Sequence, residues 1–264
     1  MSETGLVGKE GDHASLVDGI WNSLENLEDR HLTDAIRKQK QLEILKRLPQ
    51  DFEMEMRAFA SHIELVVQQP LEIQIAGEVF ENLVRADAGI CDKEETKEAE
   101  LLRSLMKDPD IYGLQKQGID KSIKNPDIAI INEEGQITGA VEVKAGRINY
   151  RGSSQLGNFK DNLNKVVEEL EKIDAETLEN HGLGVIAHGI SKLKVADDFK
   201  VTLAVPHGSY KDTDDLIKKE DFNADWKIDV ARKRLQNCKI VESPFSRKEI
   251  RTINSYILDW LQKK

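Results

Sequence analysis

Two acidic residues and one lysine occur at spacings that suit hydrolytic chemistry. Asp127 directly precedes the apolar run Ile128–Ile131, and Glu142 and Lys144 are two residues apart near the end of a second apolar run. Side chains two residues apart on a β-strand point to the same face, so Glu142 and Lys144 are expected side by side. If the second run folds back on the first, Asp127 lies next to Glu142. Two carboxylates and an ammonium group would then converge at one edge of a sheet.

Carboxylates without a softer donor nearby select a hard cation such as Mg²⁺, for which Mn²⁺ can substitute. A metal held there could activate water, and Lys144 could orient or deprotonate that water or offset the charge that develops on a phosphate. The pattern therefore predicts phosphodiester hydrolysis. The alternative is an ordinary ion pair between Glu142 and Lys144 on an exposed strand.

The surrounding sequence predicts the elements that would position these residues. Asn132–Gly135 has the composition of a hairpin turn between the two strands, the second of which covers 137–143. Apolar spacing predicts a helix that begins near Pro70 and ends near Gly89. Further helices are expected at 154–173, 213–236 and 247–262, and further strands at 183–190, 199–205 and 239–241.

The predicted fold class is α/β, more narrowly an α+β mixed sheet flanked by helices. Residues 1–12 are polar and are expected to be disordered, and residues 13–69 have helical periodicity throughout. The expected domain with the candidate site covers residues 70–264, preceded by this helical N-terminal region.

Pro126-Asp127 followed by Glu142-Val143-Lys144 resembles the signature of the PD-(D/E)xK nuclease superfamily. The resemblance implies a restriction-endonuclease-like core, with Asp127 and Glu142 as metal ligands and Lys144 as the catalytic lysine. It also implies that the backbone carbonyl of Val143 is a further metal ligand.

Many members of this superfamily place a further glutamate on the helix before the sheet, in some branches in a Gly-xxx-Glu pattern. Gly77 to Glu81 has that spacing, so Glu81 is the implied residue, with Glu78 as the alternative on the same helix. The alternative for Glu81 itself is a solvated position on an amphipathic helix. Several branches also carry a glutamine at the start of the next helix, which Gln155 resembles; the other interpretation is a polar residue in a helix N-terminus.

Cationic and aromatic residues flank the candidate site and could bind nucleic acid. Arg147, Tyr150 and Arg151 follow the second strand in what is predicted to be a short loop, where they could hold phosphates and stack on a base. Lys124 precedes Asp127 and could line the same groove. Each could equally be a solvated surface residue.

The charge distribution permits a nucleic-acid partner despite the formal net charge of −10 on 264 residues. Residues 1–100 carry 11 Lys and Arg against 22 Asp and Glu, whereas residues 101–264 carry 27 against 26. The acidic surplus therefore belongs to the N-terminal segment, and we expect most of it to face away from the substrate.

Other sequence features bound the class of protein. No apolar run approaches the ~20 residues of a membrane span, and the N-terminus lacks the features of a secretory signal. Two cysteines, Cys91 and Cys238, form no disulfide framework, so a cytoplasmic protein is expected.

The expected function is a Mg²⁺-dependent nuclease acting on double-stranded DNA, of the type II restriction kind. The alternatives are a phage or repair nuclease, a non-catalytic nucleic-acid-binding member of the fold, and a hydrolase of a small phosphorylated molecule. Cutting both strands with one site per chain implies a homodimer. The sequence leaves open DNA or RNA, and endonuclease or exonuclease action.

Overall fold

Helices form the N-terminal part of the described chain. The computed structural model describes residues 7–66, 71–87, 102, 126–132, 134–146, 150–184, 187, 193–220, 222 and 224–263. The N-terminal elements are α1 (Val7–Glu25), a 3-10 turn (Arg30–Leu32), α2 (Ala35–Lys46), α3 (Phe52–Val66) and α4 (Leu71–Arg85).

Helix α1 begins earlier than the sequence pattern indicated, because residues 7–12, expected to be disordered, continue it. Among the side chains of α1 that the structure describes, which begin at His13, the first buried one is Leu16. Apolar periodicity detects the part of a helix that packs against a core, and in the sequence the apolar spacing of this helix starts at Leu16.

The second half of the described chain alternates strands and helices. Its elements are β1 (Ile128–Ile131), β2 (Gln136–Val143), α5 (Tyr150–Glu171), α6 (Ala175–Asn180), β3 (Lys194–His207), α7 (Thr213–Lys219), α8 (Asp225–Leu235), β4 (Cys238–Ser246) and α9 (Arg247–Lys263). The four strands form one sheet in the order β1-β2-β3-β4. The β1/β2 pair is antiparallel, whereas β2/β3 and β3/β4 are parallel. The predicted mixed sheet flanked by helices is therefore confirmed.

The predicted hairpin turn joins β1 to β2. The backbone N–H of Asn132 donates to the carbonyl of Gln136 at 2.9 Å, and the N–H of Gly135 donates to the carbonyl of Asn132 at 3.0 Å. Gly135 has φ 81°, a left-handed conformation that favours glycine. The side-chain oxygen of Asn132 also accepts from the backbone N–H of Gln136 at 2.8 Å. These contacts bring β2 back beside β1.

Each face of the sheet is covered by its own set of helices. Ala140, Leu203 and Val205 belong to a buried cluster that includes residues of α5, α6, α7 and α8. Their neighbours Val141 and Ala204 belong to a second cluster that includes residues of α1, α2, α3, α4 and α9. The alternation follows from the two-residue period of a strand. Helices α1–α3 thus pack together with α4 and α9 on one face of the sheet.

Two of the predicted elements, one strand and one helix, are wrong. In place of a strand at 183–190, Gly184 and Ala187 are helical, and the N–H of Ala187 donates to the carbonyl of Leu183 at 2.9 Å. A short apolar run does not distinguish a buried strand from a buried helical turn. The helix predicted at 213–236 is divided into α7 and α8, because the chain becomes extended at Glu220 and buries Phe222 between them.

In the described part of the chain, every helix is too short or too polar to cross a membrane.

A buried charge network joins the N-terminal helices to α9. Glu249, in the first turn of α9, accepts from Arg30 Nη1 at 2.8 Å and from Arg37 Nη1 at 3.2 Å. It also accepts from the backbone N–H and the hydroxyl of Ser246, both at 2.8 Å. Burial alone would raise the pKa of Glu249, but the hydrogen bonds from Ser246 and the charge of Arg37 outweigh it and hold the pKa below its ordinary value.

We expect Glu249→Gln to destabilise the protein by about 2–3 kcal/mol, because it leaves the buried guanidinium of Arg30 without a charged partner in the first turn of α9. Urea denaturation at pH 7 measures the change. A depressed pKa contributes stability above the unfolded value and loses it as the pH falls, so the difference from wild type should shrink below about pH 4. Glu43→Gln, an exposed change in α2, is the control. Equal losses for both variants would contradict a structural role for Glu249.

Candidate active site

The hairpin places Asp127 and Glu142 opposite each other. Ile128 pairs with Val141 in the antiparallel β1/β2 register, so Asp127, one residue before β1, lies across from Glu142. A carboxylate oxygen of Asp127 accepts a hydrogen bond of 2.7 Å from the backbone N–H of Val143. The end of β2 therefore fixes the position of the Asp127 side chain.

Lys144 is the first residue after β2, and its ammonium group forms an ion pair with Glu142. Its backbone N–H donates to the carbonyl of Ala204 on β3 at 3.0 Å, which fixes the chain beyond the strand end. The Glu142 side chain is buried, whereas that of Lys144 is 32% exposed. The ammonium group can therefore reach solvent from beside a buried carboxylate.

Glu81 of α4 joins this group from the other side of the sheet edge. It is 6% exposed, and its charge acts on the pKa values of Asp127, Glu142 and Lys144. Arg85, one turn later on α4, donates to the Glu81 carboxylate at 2.7 Å. The four predicted catalytic residues therefore form one electrostatically coupled cluster, and Arg85 adds a cation to it.

Three residues of the cluster, Asp127, Glu142 and Lys144, have raised pKa values. Burial, followed by the charges of Glu142 and Glu81, raises the pKa of Asp127 to about 7. Burial also raises the pKa of Glu142, against the opposing effect of Lys144. Burial acts to lower the pKa of Lys144, but the charges of Glu142 and Asp127 outweigh it and raise that pKa. Lys144 is thus an ammonium ion at neutral pH, which favours a role in stabilising negative charge.

The donors suit a hard cation, although they are not arranged as a complete site. Glu81, Asp127 and Glu142 offer oxygen ligands, and their mutual repulsion is what a bound cation would relieve. Within the described ranges, no group of three or more His, Cys, Asp or Glu side chains is positioned to hold a metal ion. Their oxygens instead contact Lys144, Arg85 and the Val143 N–H. A cation would therefore require the Glu142–Lys144 pair to separate.

The side chains of all five predicted nucleic-acid-binding residues lie outside what the structure describes. Lys124 and Arg147 fall in undescribed segments. Tyr150 and Arg151, predicted in a loop, instead begin helix α5, and Gln155 lies in its second turn; the side chains of all three are outside the described part. Helix α5 thus begins at Tyr150, fewer residues after Lys144 than its apolar spacing predicted.

A groove of about 950 Å³ adjoins the cluster and was not foreseen from the sequence. Its walls are Ala76 and Gly77 of α4, the chain from Val143 to Gly146, and one face of α9. We call this cavity the α9 groove. Its described charged lining residues are Lys144, Arg247, Arg251 and Asp259, and the acidic N-terminal segment contributes none of them.

The sequence contained signals for the residues that were missed. Arg85 is four residues after Glu81 on a predicted helix, a spacing that permits an ion pair. Arg247 and Arg251 share one face of the predicted closing helix by the same spacing. Their distance from the motif in the chain concealed their proximity to Lys144, which only the packing of α9 against α4 creates.

No protein-family model matches the chain, and comparison with curated proteins and with solved structures gives no match.

We expect Asp127→Asn to stabilise the metal-free protein, and more so at high pH. The folded state favours protonated Asp127, so its contribution to stability is full below pH 4 and declines as the pH rises toward 7. The amide can still accept from the Val143 N–H but carries no charge. The gain in unfolding free energy should be roughly 2–3 kcal/mol larger at pH 8 than at pH 5.

Urea denaturation in EDTA measures this gain. The control is Asp161→Asn, which changes an exposed carboxylate on α5. A gain that is independent of pH, or a loss at pH 8, would contradict the mutual repulsion of Asp127, Glu142 and Glu81.

Proposed function

We propose that this protein is a divalent-metal-dependent nuclease that hydrolyses phosphodiester bonds in DNA, an endonuclease of the type II restriction kind. The observation that carries the proposal is the coupled cluster of Glu81, Asp127, Glu142 and Lys144 beside an open groove. Perturbed carboxylates next to a cation in a cleft are typical of catalytic sites. The resemblance of Asp127, Glu142 and Lys144 to the PD-(D/E)xK signature gives the reaction class.

The proposed metal ligands are the carboxylates of Asp127 and Glu142 and the carbonyl oxygen of Val143, with Glu81 completing the set. When bound, Mg²⁺ would activate a water molecule and polarise the scissile phosphate. Mg²⁺ commonly takes one or two carboxylates from the protein and its other ligands from water and substrate phosphate. The Asp127–Glu142 pair meets that requirement.

Lys144 is proposed to act on the phosphate. Its ammonium group would stabilise the charge on the phosphate oxygens as water attacks phosphorus and the P–O bond to the leaving oxygen breaks. The N–H of Val143 meanwhile fixes the Asp127 carboxylate at the strand end.

The surroundings of the cluster favour a polymeric substrate. The α9 groove extends from Lys144 along α9 as far as Gln262, so a substrate longer than a mononucleotide could lie in it. Two copies of the chain would be needed to cut both strands at once, since each carries one candidate site.

We expect Lys144→Ala to reduce the rate of DNA cleavage by about 10²–10⁴-fold while leaving DNA binding largely intact, because the lost charge acts mainly on the transition state. Single-turnover cleavage of plasmid DNA with Mg²⁺ measures the rate. Lys172→Ala, an exposed lysine paired with Glu169, is the matched control. A Lys144→Ala protein that cuts at the wild-type rate would refute the assignment of Lys144.

Parallel reactions with RNA, single strands and nucleotides would identify a different phosphodiester or phosphomonoester substrate. DNA binding without cleavage under any divalent metal would favour a non-catalytic member of the fold.

Calorimetric titration with Mg²⁺ and Mn²⁺ tests the metal directly. We expect Asp127→Asn and Glu142→Gln each to weaken binding by about tenfold or more, because each removes one charged ligand. Glu169→Gln on α5 removes a carboxylate remote from the cluster and should leave the affinity unchanged. Metal binding that is insensitive to both site variants would place the metal elsewhere.

A further inference from the structure

The cationic end of the α9 groove lies beside the acidic cluster. Arg247 and Arg251 line the groove together with Lys144. They are four residues apart on one helix, which puts their β-carbons about 5–6 Å apart on the same face. The acidic residue of the described lining, Asp259, lies two turns further along α9. Positive charge therefore lies next to the candidate catalytic residues.

The two guanidinium groups differ in how they are held. Arg247 Nη2 donates to the carbonyl of Gly146 and to the hydroxyl of Tyr210, both at 3.4 Å, and its buried Nε has no hydrogen-bond partner in the described part of the chain. Arg251 is exposed, and no hydrogen bond or ion pair joins its side chain to any described residue. Arg247 is thus pre-positioned beside the end of β2, and Arg251 retains its full donor capacity for a ligand.

Arg251 contrasts with its neighbour Lys248. The Lys248 ammonium forms an ion pair of 2.6 Å with Asp29 and does not line the α9 groove. The two exposed cations on this helix therefore differ: Lys248 pairs with an N-terminal acid, whereas Arg251 lines the groove without a described partner. A role in solubility would not explain why only one of them is paired.

Two glycines keep the opposite wall of the groove clear. A β-carbon added at Gly77 or Gly146 would meet no atom within 4 Å. At Gly139 and Gly157, by contrast, such a β-carbon would lie 3.1 and 3.2 Å from a neighbouring atom. Gly77 lies within α4, where glycine costs about 1 kcal/mol relative to alanine, and neither packing nor a left-handed conformation requires it there. Its lack of a side chain instead widens the groove opposite α9.

We propose that the α9 groove binds the sugar–phosphate backbone of the substrate strand, with Arg247 and Arg251 as its phosphate contacts. Guanidinium groups bind phosphate oxygens through paired, charge-assisted hydrogen bonds. Contacts of this kind fix the register of a nucleic acid without reading its sequence. The backbone would then pass between α9 and the glycine wall and reach Lys144. This inference rests on the proposed nuclease function.

Binding of a labelled random-sequence DNA duplex tests the proposal without knowledge of any recognition sequence. Fluorescence anisotropy is measured on the full chain with Ca²⁺ in place of Mg²⁺, over a range of salt concentrations. Arg251→Ala should raise Kd roughly tenfold and reduce the slope of log Kd against log salt by about one, as expected for one lost phosphate contact. Arg251→Lys, which keeps the charge, should recover part of the affinity.

Lys248→Ala is the matched control, since it removes one exposed cation from the same helix without altering the groove; its Kd should stay within about twofold of wild type. Arg247→Ala should also weaken binding. Because Arg247 donates to the carbonyl of Gly146, its loss also removes a structural contact, so Arg247→Lys is measured as the variant that keeps the charge. Urea denaturation of each variant confirms folding.

Equal Kd values and equal salt slopes for Arg251→Ala and Lys248→Ala, with wild type still binding and cutting DNA, would overturn the groove assignment and leave the nuclease proposal intact. A wild-type protein that binds no duplex would refute both.

Discussion

Repulsion among three carboxylates, the buried Glu81 and Glu142 and the half-buried Asp127, is the constraint around which the candidate site is built. Glu81, Asp127 and Glu142 belong to one coupled group at the sheet edge, where Arg85 pairs with Glu81 and Lys144 pairs with Glu142. Asp127 has no ion pair with a described residue, and burial and the neighbouring acids raise its pKa to about 7. Perturbed pKa values of this kind cluster at functional sites.

The Glu249 network shows that this fold can also bury a carboxylate without such cost. Glu249 and Asp127 are both removed from water, yet the pKa of Glu249 is lowered and that of Asp127 is raised. The difference lies in their partners. Glu249 accepts from two groups of Ser246 and from two guanidiniums, whereas Asp127 accepts from the Val143 N–H and faces two other acids. The contacts of Glu249 hold α9 against the N-terminal helices. The surroundings of Asp127 disfavour its negative charge, which a bound cation would offset.

Fastening α9 in this way also shapes the groove. Glu249 lies on α9 between Arg247 and Arg251, so the bonds that hold it to Arg30 and Arg37 set the position of both groove arginines. The N-terminal helices α1–α3 thus have a structural consequence for the candidate site, although their acidic residues do not line the α9 groove. The net charge of −10 is therefore compatible with a cationic path beside Lys144.

Local sequence determined the pairing at the centre of the site. The turn at Asn132–Gly135 and the two-residue period of β2 were enough to predict that Asp127, Glu142 and Lys144 would converge, because both are short-range properties of the backbone. Glu81 was predicted from a resemblance, and its approach to Asp127 depends on how α4 packs against the sheet. Tertiary packing decided three other features: the absence of a described partner for the Arg251 side chain, the open space beside Gly77, and the division of one predicted helix into α7 and α8. Each depends on which surfaces of distant segments meet, and neither periodicity nor composition records that information.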